Sequence, residues 1–391
     1  MKLLARRAAT RLKRQLRTFP AVLIFGPRQC GKTTFARSAL PGWKIIDLES
    51  HGSLRMVAAD VEGFLLANPK RLAFDEAQVL PELFPALRHV IDRARAPGRF
   101  VLLGSANPLL LRSTSESLTG RLGMLELTPF RAVELAGSGQ GGDRWFWGGF
   151  PPVHQLRGAE RRMSWFDSYV ATFIQRDLPA LGFRLQPERV RILWTMLTHV
   201  HGNLLNVSDL AQSLSVSSHT VNDYLDALEA TFMIRRLRPY HTNAQKRLVK
   251  APKVYVRDTG LLHFLADLRH PSDLETWPRR GASFEGMVIE ELATWASDSL
   301  VRPSLNFWRT QTGSEVDLLI KDGSRLFPIE VKLGTAPDRK ALAGLRQCMQ
   351  DLSLKRGWVI TGSGERHKVG GGIEVVPWPE VLRGGLPFLE R

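Results

Sequence analysis

Along residues 21–135, short and almost wholly apolar runs alternate with longer stretches in which apolar positions recur at helical spacing. Strands buried on both faces need such continuous runs, and parallel pairing needs helices between them. The pattern predicts strands at 21–25, 44–48, 71–74, 99–103 and 124–127, each buried on both sides. The first domain, 1–136, is then α/β, with a parallel five-stranded sheet covered by helices. A glycine-rich break, Gly137, Ser138, Gly139, Gln140, Gly141 and Gly142, ends it. Beyond the break, Trp165, Tyr169, Phe173 and Leu178, then Val190, Leu193 and Leu197, keep helical spacing and predict a helical lid over 137–200.

From Ser208 the pattern changes to a helix, a tight turn, a second helix and, from Ile234 to Tyr240, alternating basic and apolar residues. This predicts a winged helix-turn-helix over 201–257. Ser208 or Asp209 is suited to cap the first helix, and Ser217 or Ser218 the second. A helix pair of this kind serves equally for DNA contact or for packing between protomers. Residues 258–391 again mix a helix at 284–295, strands at 306–310, 316–320 and 326–331, a helix at 338–350 and a strand at 357–361. No internal repeat interrupts this order.

With 391 residues the chain exceeds one ordinary core. Its 43% hydrophobic and 24% charged residues are those of a globular protein, and no apolar run is long enough to span a membrane. A net charge of +16 favours an acidic polymer as partner, DNA first, with a merely soluble basic surface as the alternative. Two cysteines, Cys30 and Cys348, exclude a disulfide framework and a thiolate metal site, and fit a cytoplasmic location. Residues 1–20 carry seven Lys or Arg and no acid. A transit peptide has that composition, but the strand starting directly after Pro20 favours an amphipathic helix beside the sheet.

The candidate chemistry begins where the first strand ends. Gly26, Pro27, Arg28, Gln29, Cys30, Gly31, Lys32 and Thr33 form a complete phosphate-binding loop between a strand and a helix. The glycines let backbone N–H groups close on a triphosphate, and the helix starting near Lys32 turns its positive end toward it. Lys32 supplies a point charge to the β and γ phosphates, Thr33 a hydroxyl to Mg²⁺, and Thr34 continues the helix start. Asp75 and Glu76 follow the strand 71–74 at its carboxyl end, where a parallel sheet has its ligand crevice. Asp75 is the candidate second ligand of Mg²⁺, and Glu76 the candidate base for the attacking water. Ser105, after the strand 99–103, is the candidate polar sensor, with Asn107 or a plain turn as alternatives. Arg121 is either an arginine finger reaching a neighbouring subunit or a surface arginine.

These motifs resemble a family of bacterial and archaeal AAA-type (AAA+) ATPases that join such a core to a winged helix and a C-terminal restriction-endonuclease-like, PD-(D/E)XK domain. The resemblance covers nearly the whole chain. It rests on GPRQCGKTT at 26–34, AFDEAQ at 73–78, LLGSAN at 102–107, LTGRL at 118–122, GGFP at 148–151, FIQRDL at 173–178, and the C-terminal FEGMVIEEL, EVDLLI and PIEVKLG. It implies an oligomer, a hexamer, whose Arg121 matches the family's arginine. It gives no chemical role to Gly148, Gly149, Phe150 and Pro151, or to the pair Arg176 and Asp177. In the C-terminal domain, 258–391, Asp317, Glu330 and Lys332 follow the order of an endonuclease-like metal site. Strand alternation turns Glu330 and Lys332 to one side and Val331 to the other. The resemblance implies that Glu290, or Glu285, completes the set around Mg²⁺.

The expected function is therefore ATP hydrolysis with Mg²⁺ by an oligomeric ring that binds DNA, structured or branched DNA in particular. The alternatives are a nucleotide-switched signalling or defence ATPase with a nuclease effector, and a noncatalytic C-terminal domain used for protein assembly.

Overall fold

The computed structural model describes residues 4–105, 118–137, 144–240 and 250–384. Asn107, Ser117 and residues 138–142 of the glycine-rich break lie outside them. The chain forms two compact units. One comprises Met1–Phe130 with Phe150–Pro152 and Ala230–Met233, and the other Arg131–Gly149, Val153–Glu229 and Ile234–Arg391.

The first unit is an α/β layer structure. Its strands β1 (Ala21–Phe25), β2 (Lys44–Asp47), β3 (Leu72–Asp75), β4 (Phe100–Gly104) and β5 (Leu122–Glu126) lie in the order β2-β3-β4-β1-β5. All of the pairings are parallel. Strands β1, β3 and β4 are wholly buried, whereas β2 and β5 are half-exposed, because an edge strand has a neighbour on one side only. The helix Ala8–Leu16 of the basic N-terminal segment buries Leu12 in the core. Its Arg11 and Gln15 donate hydrogen bonds to the Met124 carbonyl, at 3.2 and 2.7 Å, which satisfies that one backbone acceptor of β5.

In the second unit, with β6 at Ile234–Pro239 and β7 at Lys253–Val256, an eight-stranded mixed sheet runs β12-β13-β11-β10-β9-β8-β6-β7. Its central strands are β8 (Pro303–Arg309), β9 (Glu315–Asp322), β10 (Arg325–Lys332), β11 (Gly357–Thr361) and β13 (Ile373–Pro377), with the two-residue β12 (His367–Lys368) at one end. The helix Arg280–Ser299 packs Phe284, Val288 and Leu292 with Leu318, Ile329, Val331 and Ile360. The helix Arg339–Asp351 packs Leu345 and Cys348 with Val316, Val359 and Val375.

The helix–turn–helix lies in this unit, as Val207–Leu214 and Ser218–Ala230. The cap of the first helix is Asn206, rather than Ser208 or Asp209: its side chain accepts the Ser208 and Asp209 N–H groups, at 3.1 and 3.4 Å. Ser217 Oγ accepts Thr220 N–H, at 3.0 Å, before the second. The strands after them, β6 (Ile234–Pro239) and β7 (Lys253–Val256), pair antiparallel. They are not a separate module, since β6 also pairs with β8 and so extends the C-terminal sheet.

The GGFP segment has a structural explanation on its glycine side. Asp258 accepts the Gly149 N–H at 2.7 Å and the Leu261 N–H at 3.1 Å, capping the helix Thr259–Leu265. At Gly148, where φ is 71°, a Cβ would lie 2.0 Å from Asp258 Oδ1. Replacing Asp258 by Ala removes a cap and strands a buried N–H, at a cost of about 2 kcal/mol. Thermal melting of Asp258→Ala is expected at a lower temperature than wild type, with Asp258→Asn, which keeps one acceptor, between the two.

Candidate functional site

The phosphate-binding loop leaves β1 at Gly26 and turns into the helix Lys32–Ala39. A Cβ on Gly26 would stand 2.1 Å from the Leu127 carbonyl oxygen, so only glycine lets the loop lie this close to β5. Gln29 and Gly31 take left-handed φ values of 60° and 94°. Pro27 and Cys30 are buried, Arg28 and Gly31 half-buried, and Gln29 exposed. Cys30 is an inert thiol, its pKa pushed up by burial. Pro151, the last residue of GGFP, packs near Gly31, 3.6 Å from where a Cβ would be.

Lys32 is buried, and its ammonium donates to the Gly26 and Pro27 carbonyls at 3.1 and 3.0 Å. Thr33 Oγ1 donates to Asp75 Oδ2 at 2.6 Å, which joins the loop to the end of β3. Burial pushes the Asp75 carboxyl above its usual range, against the pull of the Thr33 hydroxyl. Thr34 is exposed. Glu76 sits in the left-handed region at φ 50°, a conformation that costs a glutamate about 1 kcal/mol and turns its side chain out of the strand line. Because β4 lies between β3 and β1, Ser105 reaches Glu76 and donates from Oγ to Oε1 at 2.7 Å. Gln78 holds the other oxygen, Oε2.

Two contributors here have only faint sequence signals. Gln78 lies inside AFDEAQ, two residues beyond Glu76. Arg6, in the basic leader, donates to the Cys30 carbonyl at 3.1 Å and to the Thr128 carbonyl, and its guanidinium lies 5.0 Å from the centre of the Phe130 ring. It ties the loop to the chain after β5. Arg121 forms a bidentate pair with Asp92, at 2.6 and 2.8 Å, with about a quarter of its side chain exposed.

The C-terminal carboxylates divide into two groups. Asp317 and Glu330 line a cavity of about 570 Å³ that Lys253, Glu285, Glu315 and Lys332 also line. Lys332 pairs with Glu330 at 2.9 Å, while Val331 packs into the core on the other face. Glu290 is not in this group, contrary to expectation. The bidentate Arg235 and Arg257, the latter at 2.9 Å, hold it apart, so Glu285 is the helical glutamate that faces the cavity. Burial raises the Glu290 pKa, but the two guanidinium groups outweigh it and bring it down to about 2. Burial and the Asp317 charge push Glu285 up to about 7 and Glu330 well above the ordinary carboxylate range.

Lys253, on β7, completes this cavity and was not singled out in the sequence. The available signal was a lysine facing inward on a short apolar strand. Its ammonium lies 3.2 Å from Glu285 and 3.1 Å from Asp317, and it also pairs with Glu315. Burial lowers its pKa, but Glu285, Tyr255, Asp317 and Glu315 more than reverse this and hold it well above the ordinary value. Tyr255 donates to Glu285 at 2.5 Å. A carboxylate set whose centre is taken by an ammonium does not fit a divalent metal, and among the described residues no group of His, Cys, Asp or Glu has the arrangement of a metal site. Arg176 and Asp177, 3.4 Å apart, form an ion pair within a single turn of π-helix, Phe173–Asp177.

The second unit also carries a basic groove of about 510 Å³, in which Arg238, Lys250 and Lys321 are exposed. By contrast, the helix–turn–helix from Val207 to Ala230 contains four acids and no Lys or Arg, and its Asp226 and Glu229 are paired with Arg236.

The phosphate loop, the Thr33–Asp75 bond and the strand order define the first unit as a P-loop ATPase core of the AAA type, and the model of the AAA domain matches residues 18–136. Two domains of unknown function, DUF8612 and DUF4143, match residues 141–272 and 280–381. The chain is 38% identical over 389 residues to Uncharacterized protein Rv2008c of Mycobacterium tuberculosis and to Uncharacterized protein Mb2031c of Mycobacterium bovis. These alignments cover 97% of this chain and 85% of each relative. The chain belongs to the family of these two mycobacterial proteins, and in this chain the AAA domain is followed by the two domains of unknown function. Among solved structures, the Walker-type ATPase PABY2304 of Pyrococcus abyssi is similar at 17% identity and a TM-score of 0.46, over 67% of this chain and 96% of that one. The Thermotoga maritima RuvB Holliday junction branch migration motor is similar at 19% identity and a TM-score of 0.29, over 60% and 90%.

Glu290 generates a pH-dependent prediction. A carboxyl whose folded pKa is depressed from 4.5 to about 2 contributes stability above 4.5 and loses it as pH falls through about 2. Glu290→Gln leaves Arg235 and Arg257 part-buried without their shared counter-charge, at a cost of about 3 kcal/mol near neutral pH. The gap in melting temperature between wild type and Glu290→Gln is expected to shrink between pH 4.5 and pH 2.

Proposed function

We propose that this chain hydrolyses ATP with Mg²⁺ and couples the turnover to DNA. The observation that carries hydrolysis is the held carboxylate of Glu76, bonded by Ser105 next to the Thr33–Asp75 pair. The oxygens of Thr33 and Asp75 are the hard donors that Mg²⁺ prefers, so they are the residues that would hold it. Held by these two residues, Mg²⁺ would supply positive charge to the phosphate oxygens of the nucleotide. Lys32 exchanges its two backbone acceptors for phosphate oxygens. Glu76 takes a proton from the water whose oxygen attacks the γ phosphorus, the bond from that phosphorus to the β–γ bridging oxygen breaks and ADP leaves, and Ser105 and Gln78 keep the Glu76 carboxylate aimed.

DNA contact is assigned to the basic groove rather than to the helix pair. Phosphates are attracted by exposed cations, and Arg238, Lys250 and Lys321 are such a set, whereas the helix pair carries four acids and no Lys or Arg. Structured or branched DNA is the proposed class, and a hexameric ring the proposed assembly. In that ring Arg121 exchanges Asp92 for the nucleotide of a neighbouring subunit, a move that its partly exposed side chain permits. The acidic face of Val207–Ala230 favours a second reading for that element alone, as a contact for protein rather than DNA.

Steady-state turnover of Glu76→Gln is expected to fall by roughly 100-fold or more while nucleotide binding persists. If turnover is unchanged, Glu76 is not the base. For DNA, fluorescence anisotropy with duplex, single-stranded and four-way-junction probes is compared between wild type and Arg238→Ala/Lys321→Ala. The variant is expected to bind more weakly, with the slope of log affinity against log salt reduced by roughly 2. An unchanged slope removes the groove from the DNA contact.

A further inference from the structure

Lys253 carries an inference that goes beyond nucleotide and DNA. It comes from β7, with only 3% of its side chain exposed, and reaches into the cavity that Asp317 and Glu330 line. An ammonium has three N–H donors, and here it has three carboxylate partners, Glu285, Glu315 and Asp317. Asp317 is engaged on both oxygens, since Oδ1 faces Lys253 and Oδ2 accepts the Val331 N–H at 3.0 Å. Glu315 is held in addition by Arg309 at 2.7 Å. The buried oxygen left over is Glu330 Oε2, which has no hydrogen-bond partner. Four carboxylates thus face Lys253, Lys332 and Arg309, and the charge that would recruit a divalent cation is already largely balanced from within the chain.

We propose that Lys253 is the built-in cation of this pocket, seated among Glu285, Glu315 and Asp317 so that the C-terminal domain as folded excludes divalent metal from Asp317 and Glu330. A metal entering at Asp317 has to displace a desolvated ammonium from three carboxylates. Breaking a buried pair is costly enough to weaken binding by roughly 100-fold or more. The residues of an endonuclease-like order are present, but their charge is spent on a lysine from another strand. The proposal does not depend on the nucleotide site, whose Thr33 and Asp75 are untouched by the variants below.

The test is Mn²⁺ binding to the full chain without nucleotide, followed by electron paramagnetic resonance of the free ion. It is run on wild type, Asp317→Asn, Lys253→Met and the double variant. Wild type and Asp317→Asn are expected to bind alike, because no Mn²⁺ sits at Asp317. Lys253→Met is expected to gain a site at least roughly 100-fold tighter than any Asp317-dependent binding in wild type, and Asp317→Asn is expected to abolish it. A wild-type site that Asp317→Asn removes overturns the proposal, and so does a folded Lys253→Met that gains no Asp317-dependent site. If a thermal melt shows that Lys253→Met does not fold, the wild-type and Asp317→Asn comparison decides alone: equal binding supports the proposal and unequal binding overturns it.

Discussion

The register of β1, β3 and β4 brings Phe25, Asp75 and Gly104 to one carboxyl edge, and the nucleotide site is built where those strands stop. Parallel strands end together on one side of a sheet, so the loop after β1, the acids after β3 and the serine after β4 meet without any long side chain having to reach. The Thr33–Asp75 bond spans 42 positions of sequence at 2.6 Å. It holds the loop and the acids in a single arrangement. Gly26 is part of the same constraint, since any Cβ there would collide with the Leu127 carbonyl and push the loop off the sheet.

The second unit uses charge for a different purpose. The helix Arg280–Ser299 is largely buried yet carries Glu285, Glu290 and Glu291, and each has found a basic partner from a separate segment. Glu285 meets Lys253, Glu290 meets Arg235 and Arg257, and Glu291 meets Arg131 at 2.8 Å. Buried ion pairs add little net stability over apolar packing, but an unpaired one is expensive, so such pairs penalise any wrong placement of the segments that supply them. They join β6, β7 and the stretch at Arg131 to the helix Arg280–Ser299, which packs on the sheet that β6 extends by pairing with β8. Two acidic clusters in one chain therefore differ in kind. In the first unit Asp75 and Glu76 are held by neutral hydroxyl and amide donors, which a cation or a proton can displace, and in the second Asp317 is held by a buried ammonium.

The excess positive charge is also unevenly spent. Part of it is internal, as in Arg131, Arg235, Arg257 and Lys253, and part covers the edge of β5 or braces the phosphate loop, as in Arg11 and Arg6. The helix pair at Val207–Ala230 has none, whereas Arg238, Lys250 and Lys321 are exposed in the groove beside the junction of β6 and β8. Net charge signals an anionic partner, but it carries no information on which surface meets that partner.

Local pattern was enough for much of this protein. The five strands of the first unit, the helix of the basic N-terminal segment, the phosphate loop and Asp75–Glu76 are all written in contiguous residues, because burial periodicity and glycine-dependent loops are local properties. Two cap and burial details were misjudged at that level: Asn206 stands ahead of the expected caps, and the edge strands are half-exposed. What no local pattern could decide is which charges meet across the fold. Glu285 and Glu290 are five residues apart on one helix and point to different surroundings, and Lys253 lies 64 positions from Asp317, its partner. The sequence by itself determined the nucleotide-binding loop and the layers around it, since backbone geometry and hydrophobic spacing suffice for those. Only the tertiary structure decided that Lys253, rather than Glu290, belongs to the C-terminal carboxylates, because the pairing of buried charges depends on strand order and helix facing, which arise only when distant segments pack together.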